Sequence, residues 1–304
     1  MFQRLILVVF LLTLNSCGIV NEFLNVDTDP WPQGTSHAAT EMRIQEAYEE
    51  FRLGLEENEG ITVMAELDHA QNAEAAGMAL TDSKLIFFGN PEAGTLLMRR
   101  NQLAGLDLPL RVLFYEKDRK VVALFNNASY FERRYGLAGT GVLDRMWANL
   151  EQMVANAMNT QVIRGRSADI GNMQGIKTVQ STRNFEDTYS ALIELLEDNN
   201  EIKIVTEVDH AANAEKVEME LRPTRLIIFG NPNLGTPLMQ SATSMGLDLP
   251  QKILVWEDED GTVNISYNTA QFLQFRHRLK STPGELDLIS TALNKFAEAA
   301  GGLN

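Results

Sequence analysis

Glu66 to Pro109 reads ELDHAQNAEAAGMALTDSKLIFFGNPEAGTLLMRRNQLAGLDLP, and 141 residues later Glu207 to Pro250 reads EVDHAANAEKVEMELRPTRLIIFGNPNLGTPLMQSATSMGLDLP. Of these 44 paired positions 24 are identical, against 7 of the 33 from Gln33 to Ala65. Such a duplication predicts two copies of one fold. The block is held more tightly than its surroundings, either by a shared site or by a demanding backbone.

The same offset extends from Gln33/Gln174 through Tyr48/Tyr189, Leu55/Leu196 and Asn58/Asn199 to Phe131/Phe272. Beyond it the pairing moves to 143, matching Leu143, Met146, Leu150 and Met153 with Leu286, Ile289, Leu293 and Phe296, as a two-residue insertion near Ser281 to Gly284 would produce. The copies are therefore placed at 33–158 and 174–304, with the polar, Gly-containing stretch 159–173 as an exposed linker. Three- and four-residue spacing of the last apolar positions predicts a closing amphipathic helix in each copy. Glu186 to Asn199 repeats Tyr189, Leu192, Ile193 and Leu196 in the same rhythm and predicts another helix. Leu85 to Phe88 and Leu226 to Phe229 are wholly apolar, as inner strands are, and Ile202 to Val208 alternates like a half-buried strand. Asp258-Glu259-Asp260-Gly261 reads as a hairpin turn. The expected class is α+β: two similar domains, each a mostly antiparallel sheet with helices on one face.

The first residues, MFQRLILVVFLLTLNSC, place Arg4 before an uncharged apolar run from Leu5 to Leu14, the layout of a signal peptide. That run is shorter than the roughly 20 residues that span a bilayer. Leu14-Asn15-Ser16-Cys17 resembles the lipobox of bacterial lipoproteins, although Asn15 departs from the usual small residue. The reading is a signal over 1–17, a tether over 18–32, lipidation at Cys17 and a chain anchored to the cell envelope, at the outer membrane where the host has one. Cys17 is the only cysteine, which excludes a disulfide framework and thiolate chemistry in the folded part. A formal charge of -15 speaks against nucleic acid, whose phosphates require clustered Lys and Arg.

Glu-x-Asp-His-Ala-x-Asn-Ala, Phe-Gly-Asn-Pro-x-x-Gly-Thr and Gly-Leu-Asp-Leu-Pro, present in both copies, resemble the bacterial family called domain of unknown function 302. The resemblance implies a TATA-binding-protein-like unit of strand, helix, four strands and helix, with the two units pairing inside one chain as a pseudo-dimer. It implies no activity.

Three groups of residues are candidates for a site. Glu66 and Asp68, like Glu207 and Asp209, are two apart on a strand and share a face, with His69 or His210 next and Asn72 or Asn213 one helical turn on. Oxygen and nitrogen donors of this kind suit a divalent metal held through His69 or His210, whereas an Asp before a helix is also an ordinary N-cap and a His at N1 is usually solvated. Asn90-Pro91 with Thr95, and Asn231-Pro232 with Thr236, open onto a helix start, with Thr95 and Thr236 read as caps and Pro237 as N1. Asp107 and Asp248 read as turn-stabilising residues, and His37 and His277, which lack histidine counterparts, as surface residues. No Walker lysine, dinucleotide glycine pattern or Gly-x-Ser-x-Gly elbow occurs. Three readings stay open: a small-ligand or metal binding module, an acid/base or metal enzyme using the Glu-x-Asp-His motifs, and a structural scaffold. No particular cofactor is indicated.

Overall fold

Apolar runs without alternation need cover on both faces, and the computed structural model shows what supplies it. It describes residues 31–167, 169–279 and 284–303; the signal peptide, the lipobox and Cys17 lie outside them. The first copy runs β1 (Thr35–Thr40), α1 (Ile44–Glu56), β2 (Thr62–Asp68), α2 (His69–Ala75), β3 (Ser83–Gly89), α3 (Pro91–Met98), a 3-10 turn (Gln102–Leu106), β4 (Leu110–Lys117), β5 (Lys120–Asn126), α4 (Ala128–Tyr135) and α5 (Gly141–Ala157). A two-residue strand, β6 (Ile163–Arg164), follows; it belongs to the stretch read as linker and pairs with β1. The second copy repeats the series as β7 (Ile176–Gln180), α6 (Phe185–Glu197), β8 (Lys203–Asp209), α7 (His210–Glu215), β9 (Thr224–Gly230), α8 (Pro232–Ser241), a 3-10 turn (Thr243–Leu247), β10 (Gln251–Glu257), β11 (Val263–Asn268), α9 (Ala270–His277) and α10 (Gly284–Ala300).

The sheets are ordered β2-β3-β4-β5-β1-β6 and β7-β11-β10-β9-β8, and every described pairing is antiparallel. The α+β class expected from the sequence is what the chain adopts. Short helices between the strands of each copy are additional to the strand, helix, four strands and helix that the resemblance implied. The long helices cover one face of each sheet: Phe114 of β4 meets the rings of Tyr48 and Phe51 from α1 at 5.6 Å. Adjacent residues point the other way, into the second copy, where Leu113 lies beside Gly246 and, reciprocally, Leu254 beside Gly105. Leu85, Ile86, Phe87 and Phe88 are consequently all buried.

Hydrogen-bond register corrects the pairing of the copies. Glu116 pairs with Val121 across the first hairpin, but Glu257 pairs with Val263 across the second, which is one residue longer. After this turn the offset is 142, so Tyr130 corresponds to Phe272, Arg134 to Arg276 and Tyr135 to His277; Phe131 and Phe272 are not partners. The remaining residue of the shift enters before α10, which answers α5 at 143.

Tyr130 and Phe272 close over two glycines in left-handed backbone, Gly34 at φ +76 and Gly175 at φ +69. A Cβ on Gly175 would stand 2.1 Å from Phe272 Cβ. Left-handed strain and the clash act together, so Gly175→Ala is expected to cost about 2–4 kcal/mol. Gly77→Ala, at φ +73 with nothing within 4 Å, isolates the backbone share at about 1–2 kcal/mol. Urea unfolding of both variants checks the difference.

Candidate functional site

The Gly-Leu-Asp-Leu-Pro segments meet at the junction of the copies; their aspartates stand in the turn before a strand, as read, but are buried there rather than serving the turn alone. Asp107 accepts hydrogen bonds from Arg111 (2.9 Å), Arg134 (2.8 Å), Tyr130 (2.8 Å) and Tyr135 (2.6 Å). Asp248 accepts from Arg111 at 2.7 Å and Arg276 at 2.6 Å and lies 2.8 Å from His277 Nε2. Burial alone would raise both carboxyls; the guanidinium groups outweigh it and hold both well below the usual carboxylate range. The arginines also cross the junction in matched fashion. Arg134 reaches Gln174 O and Asn268 of the second copy, and Arg276 reaches Gln33 O and Asn126 of the first. Lys252, the counterpart of Arg111, is buried beside this cluster, and burial together with Arg111 pushes its amine down to about 7.

His277 therefore belongs to the core, with Nδ1 also 3.1 Å from Ser244 Oγ, because it occupies the place of Tyr135. His37 is buried as well, stacked at 3.8 Å on Trp31. Neither is the surface residue the sequence suggested.

The Glu-x-Asp-His residues share a strand end, yet their polar groups face different partners. Tyr48 donates to Glu66 and Tyr189 to Glu207. Asp68 caps α2 through Gln71 N–H (2.9 Å) and pairs with Lys84 (2.6 Å); Asp209 caps α7 through Ala212 N–H (2.8 Å) and pairs with Arg225 (2.8 Å). The N1 histidines are not solvated: each enters the opposite copy. The His69 ring lies against Gly246, with Nε2 3.1 Å from its carbonyl, and the His210 ring lies against Gly105. A Cβ on Gly246 would stand 2.7 Å from Met239 Cε, 3.0 Å from Leu113 and 3.2 Å from the His69 ring, and one on Gly105 3.0 Å from Leu254 and 3.3 Å from Met98 Sδ, so close packing across the junction leaves little room for a side chain at either place. Burial lowers both imidazoles to about 4, only partly opposed by those carbonyls. Among the described residues no group of three or more His, Cys, Asp and Glu side chains is placed to hold a metal ion.

Asn90 and Asn231, not Thr95 and Thr236, are the N-caps, accepting from Ala93 and Asn233 N–H at 2.9 Å. The helices begin at Pro91 and Pro232, so each Thr falls inside a helix, where Thr95 Oγ1 donates back to Pro91 O at 2.7 Å, and Pro237 is interior rather than N1.

What the block residues do form is a pair of cavities related by the duplication. The larger, about 310 Å³, has Leu67, His69 and Asn72 of the first copy at its lip. Its walls come from the second copy: Phe229 to Pro232, Gly235, Thr236, Leu249, Pro250 and Gln251, closed by Leu288, Ile289, Ala292, Leu293 and Phe296 of α10. The lining is mostly apolar, but Gln251 is 8 % exposed and its Nε2 donates to no group of the protein. The counterpart space is divided in two: a cavity of about 30 Å³ takes His210 and Asn213 from the second copy and Asn90, Pro91, Gly94, Thr95, Leu108 and Pro109 from the first, and a groove of about 270 Å³ continues from it along Asn90, Leu110, Arg145, Met146 and Asn149. Thus His69 and Asn72 join Asn231 and Thr236, and His210 and Asn213 join Asn90 and Thr95, while Glu66, Asp68, Glu207 and Asp209 stay outside both linings. Sequence reasoning missed Arg111, Arg134, Arg276, Tyr130 and Gln251. Correct pairing of the arginines required the extra hairpin residue, and Gln251 carried no signal because its counterpart is Leu110.

The family profile described as Domain of unknown function DUF302 matches residues 36–157 and 177–300, and the chain belongs to that family. Its curated relatives include the fluoride-specific ion channel FluC 1 of Brucella suis biovar 1 (strain 1330), 40% identical over 105 residues, 34% of this chain and 41% of that protein. The FluC 1 of Brucella abortus biovar 1 (strain 9-941) matches at 40% over 105 residues and 38% of its length. The chain thus spans about two fifths of these relatives. No helix among the described residues is long and apolar enough to cross a membrane. An uncharacterized conserved DUF302 protein from Bacillus stearothermophilus aligns at 16% identity with TM-score 0.36, over 42% of this chain and 98% of its own.

Proposed function

We propose that the chain is a binding module of the cell envelope, held to a membrane through Cys17, that takes up a small, largely apolar ligand in the cavity between its copies. The observation carrying this reading is that repeated-block residues from both copies line one cavity of about 310 Å³, within the range of small-molecule pockets. Gln251 Nε2, buried without a partner, fits a ligand that presents one hydrogen-bond acceptor. An acid/base enzyme finds less support, since Glu66, Asp68, Glu207 and Asp209 are engaged by Tyr, Lys, Arg and helix N–H groups. A pure scaffold leaves the cavity without a use. The likeness to part of two membrane channels is in keeping with a module that serves at a membrane.

Titration with the neutral fluorescent probe phenylnaphthylamine tests this reading. Wild type is expected to bind about one equivalent, and Ala292→Trp, which places an indole inside the cavity, is expected to weaken binding by at least about tenfold. Equal binding by both proteins would count against the cavity as the site.

A further inference from the structure

The 30 Å³ cavity differs in chemistry from the matching part of its mate. Three methionines line it, Met64, Met98 and Met146, together with His210. The second copy has Val205, Met239 and Ile289 at the matching places. Apolar packing in this fold therefore does not require thioethers at two of the three positions. Met98 Sδ and His210 Cδ2 lie 3.3 and 3.5 Å from the point where a Cβ on Gly105 would stand, so sulfur and ring approach within about 7 Å of each other. Met98 Cε lies 3.9 Å from the corresponding point on Gly94, and Met64 Cε 3.3 Å from that on Gly89, so both methyl ends lie against glycines of the cavity wall.

His210 supplies the second observation. It is 5 % exposed, and Nε2 hydrogen-bonds to nothing in the protein, although the carbonyls of Gly105 and Leu108 lie beside the ring. Its equivalent, His69, is satisfied by Gly246 O. A buried nitrogen without a partner is costly, and a ligand at that atom removes the cost. The 30 Å³ beside His210 has room for a single ion or water and adjoins a larger groove. Neutral thioether and imidazole donors are soft and carry no charge, which selects a soft monovalent cation over Zn, Mg or Ca. Methionine has the torsional freedom to bring its sulfur inward when such an ion arrives. Asn90, Leu110 and Met146 also line an adjoining groove of about 270 Å³, which gives a path to the cavity.

We propose that Met64, Met98, Met146 and His210 form a site for one Cu(I) ion, built by the first copy's methionines and the second copy's histidine. The apolar-ligand cavity on the other side of the junction is not involved, and no redox step is required, since the ion enters and stays as Cu(I).

The test uses the full chain carrying Cys17→Ser, so that no thiol contributes, with Cu(I) delivered anaerobically in competition with a chromophoric Cu(I) chelator. Methionine methyl groups are labelled with carbon-13 for NMR. The expected result is one equivalent of Cu(I), with three of the chain's 12 methionine methyl signals shifting, and an affinity reduced at least about tenfold in a Met64→Val, Met146→Ile variant. That variant carries the residues the second copy tolerates, and circular dichroism verifies its fold; Met98→Leu alone gives the same reading should it not fold. No retained Cu(I), equal affinity in a folded variant, or shifts confined to other methionines would overturn the assignment and leave a buried water as the partner of His210.

Discussion

Asp107→Ala is expected to destabilise the folded chain by about 3–5 kcal/mol, because breaking a buried ion pair from one side leaves its cations buried and uncompensated. Asp107 gathers Arg111, Arg134, Tyr130 and Tyr135 with all four side chains buried, so neither water nor rotamer change replaces it. Arg111 also bonds Asp248 and the Leu247 carbonyl, which carries the damage into the second copy. Urea unfolding should therefore show one transition displaced as a whole, with signals from both copies moving together. Asp82→Ala, at an exposed position, is the reference and should change stability by no more than about 0.5 kcal/mol. A displacement of that size for Asp107→Ala as well would mean that the junction is held by apolar contact and the ion cluster is incidental.

A large pH effect follows from the two crossing histidines. Each is neutral when folded, with its pKa lowered from 6.5 to about 4 by burial. The unfolded chain binds protons near 6.5, so it is favoured as pH falls: the stabilisation is intact above about pH 6.5 and is lost progressively down to about pH 4. At 1.36 kcal/mol per unit, each histidine contributes on the order of 3 kcal/mol over that window. His277 is lowered by burial too, with Asp248 opposing, and adds to the same slope. Asp107 and Asp248 act in a different range, since carboxylates held below 3.8 lose their contribution only as pH falls past that value. Unfolding free energies measured from pH 7 to 4 should fall steeply, and His69→Gln should flatten part of the slope, while a slope unchanged in that variant would mean the ring is not buried in the neutral form.

How far the sequence led can be judged from particular residues. The duplication, the apolar strands and the hairpin at Asp258 to Gly261 were legible because strand burial and turn chemistry leave local patterns. The aspartate caps of α2 and α7 were legible for the same reason. What His69, His210 and Arg111 touch was not, because their partners across the junction lie more than a hundred residues away. His69 has the spacing of a solvated N1 residue and is instead the plug of a neighbouring glycine. Asp107 looks like a turn residue and is the centre of an ion cluster in which Arg134 and Arg276 pair at an offset of 142. The difference between the cavities depends on Leu288 and Ala292 facing Arg145 and Asn149 across the duplication, outside the block and at the third offset. The block marks the junction, and the flanking residues decide what each cavity holds.

The larger cavity, as the proposed binding site, is one that neither copy makes alone. Asn72 lies at its lip on the first copy, whereas most of the lining belongs to the second. Phenylnaphthylamine titration of full-length Asn72→Trp, folded as judged by circular dichroism, tests this directly. Binding weakened at least about tenfold, with every second-copy residue unchanged, is the expected result; affinity equal to wild type would place the probe elsewhere on the chain and rule out a shared cavity as the site.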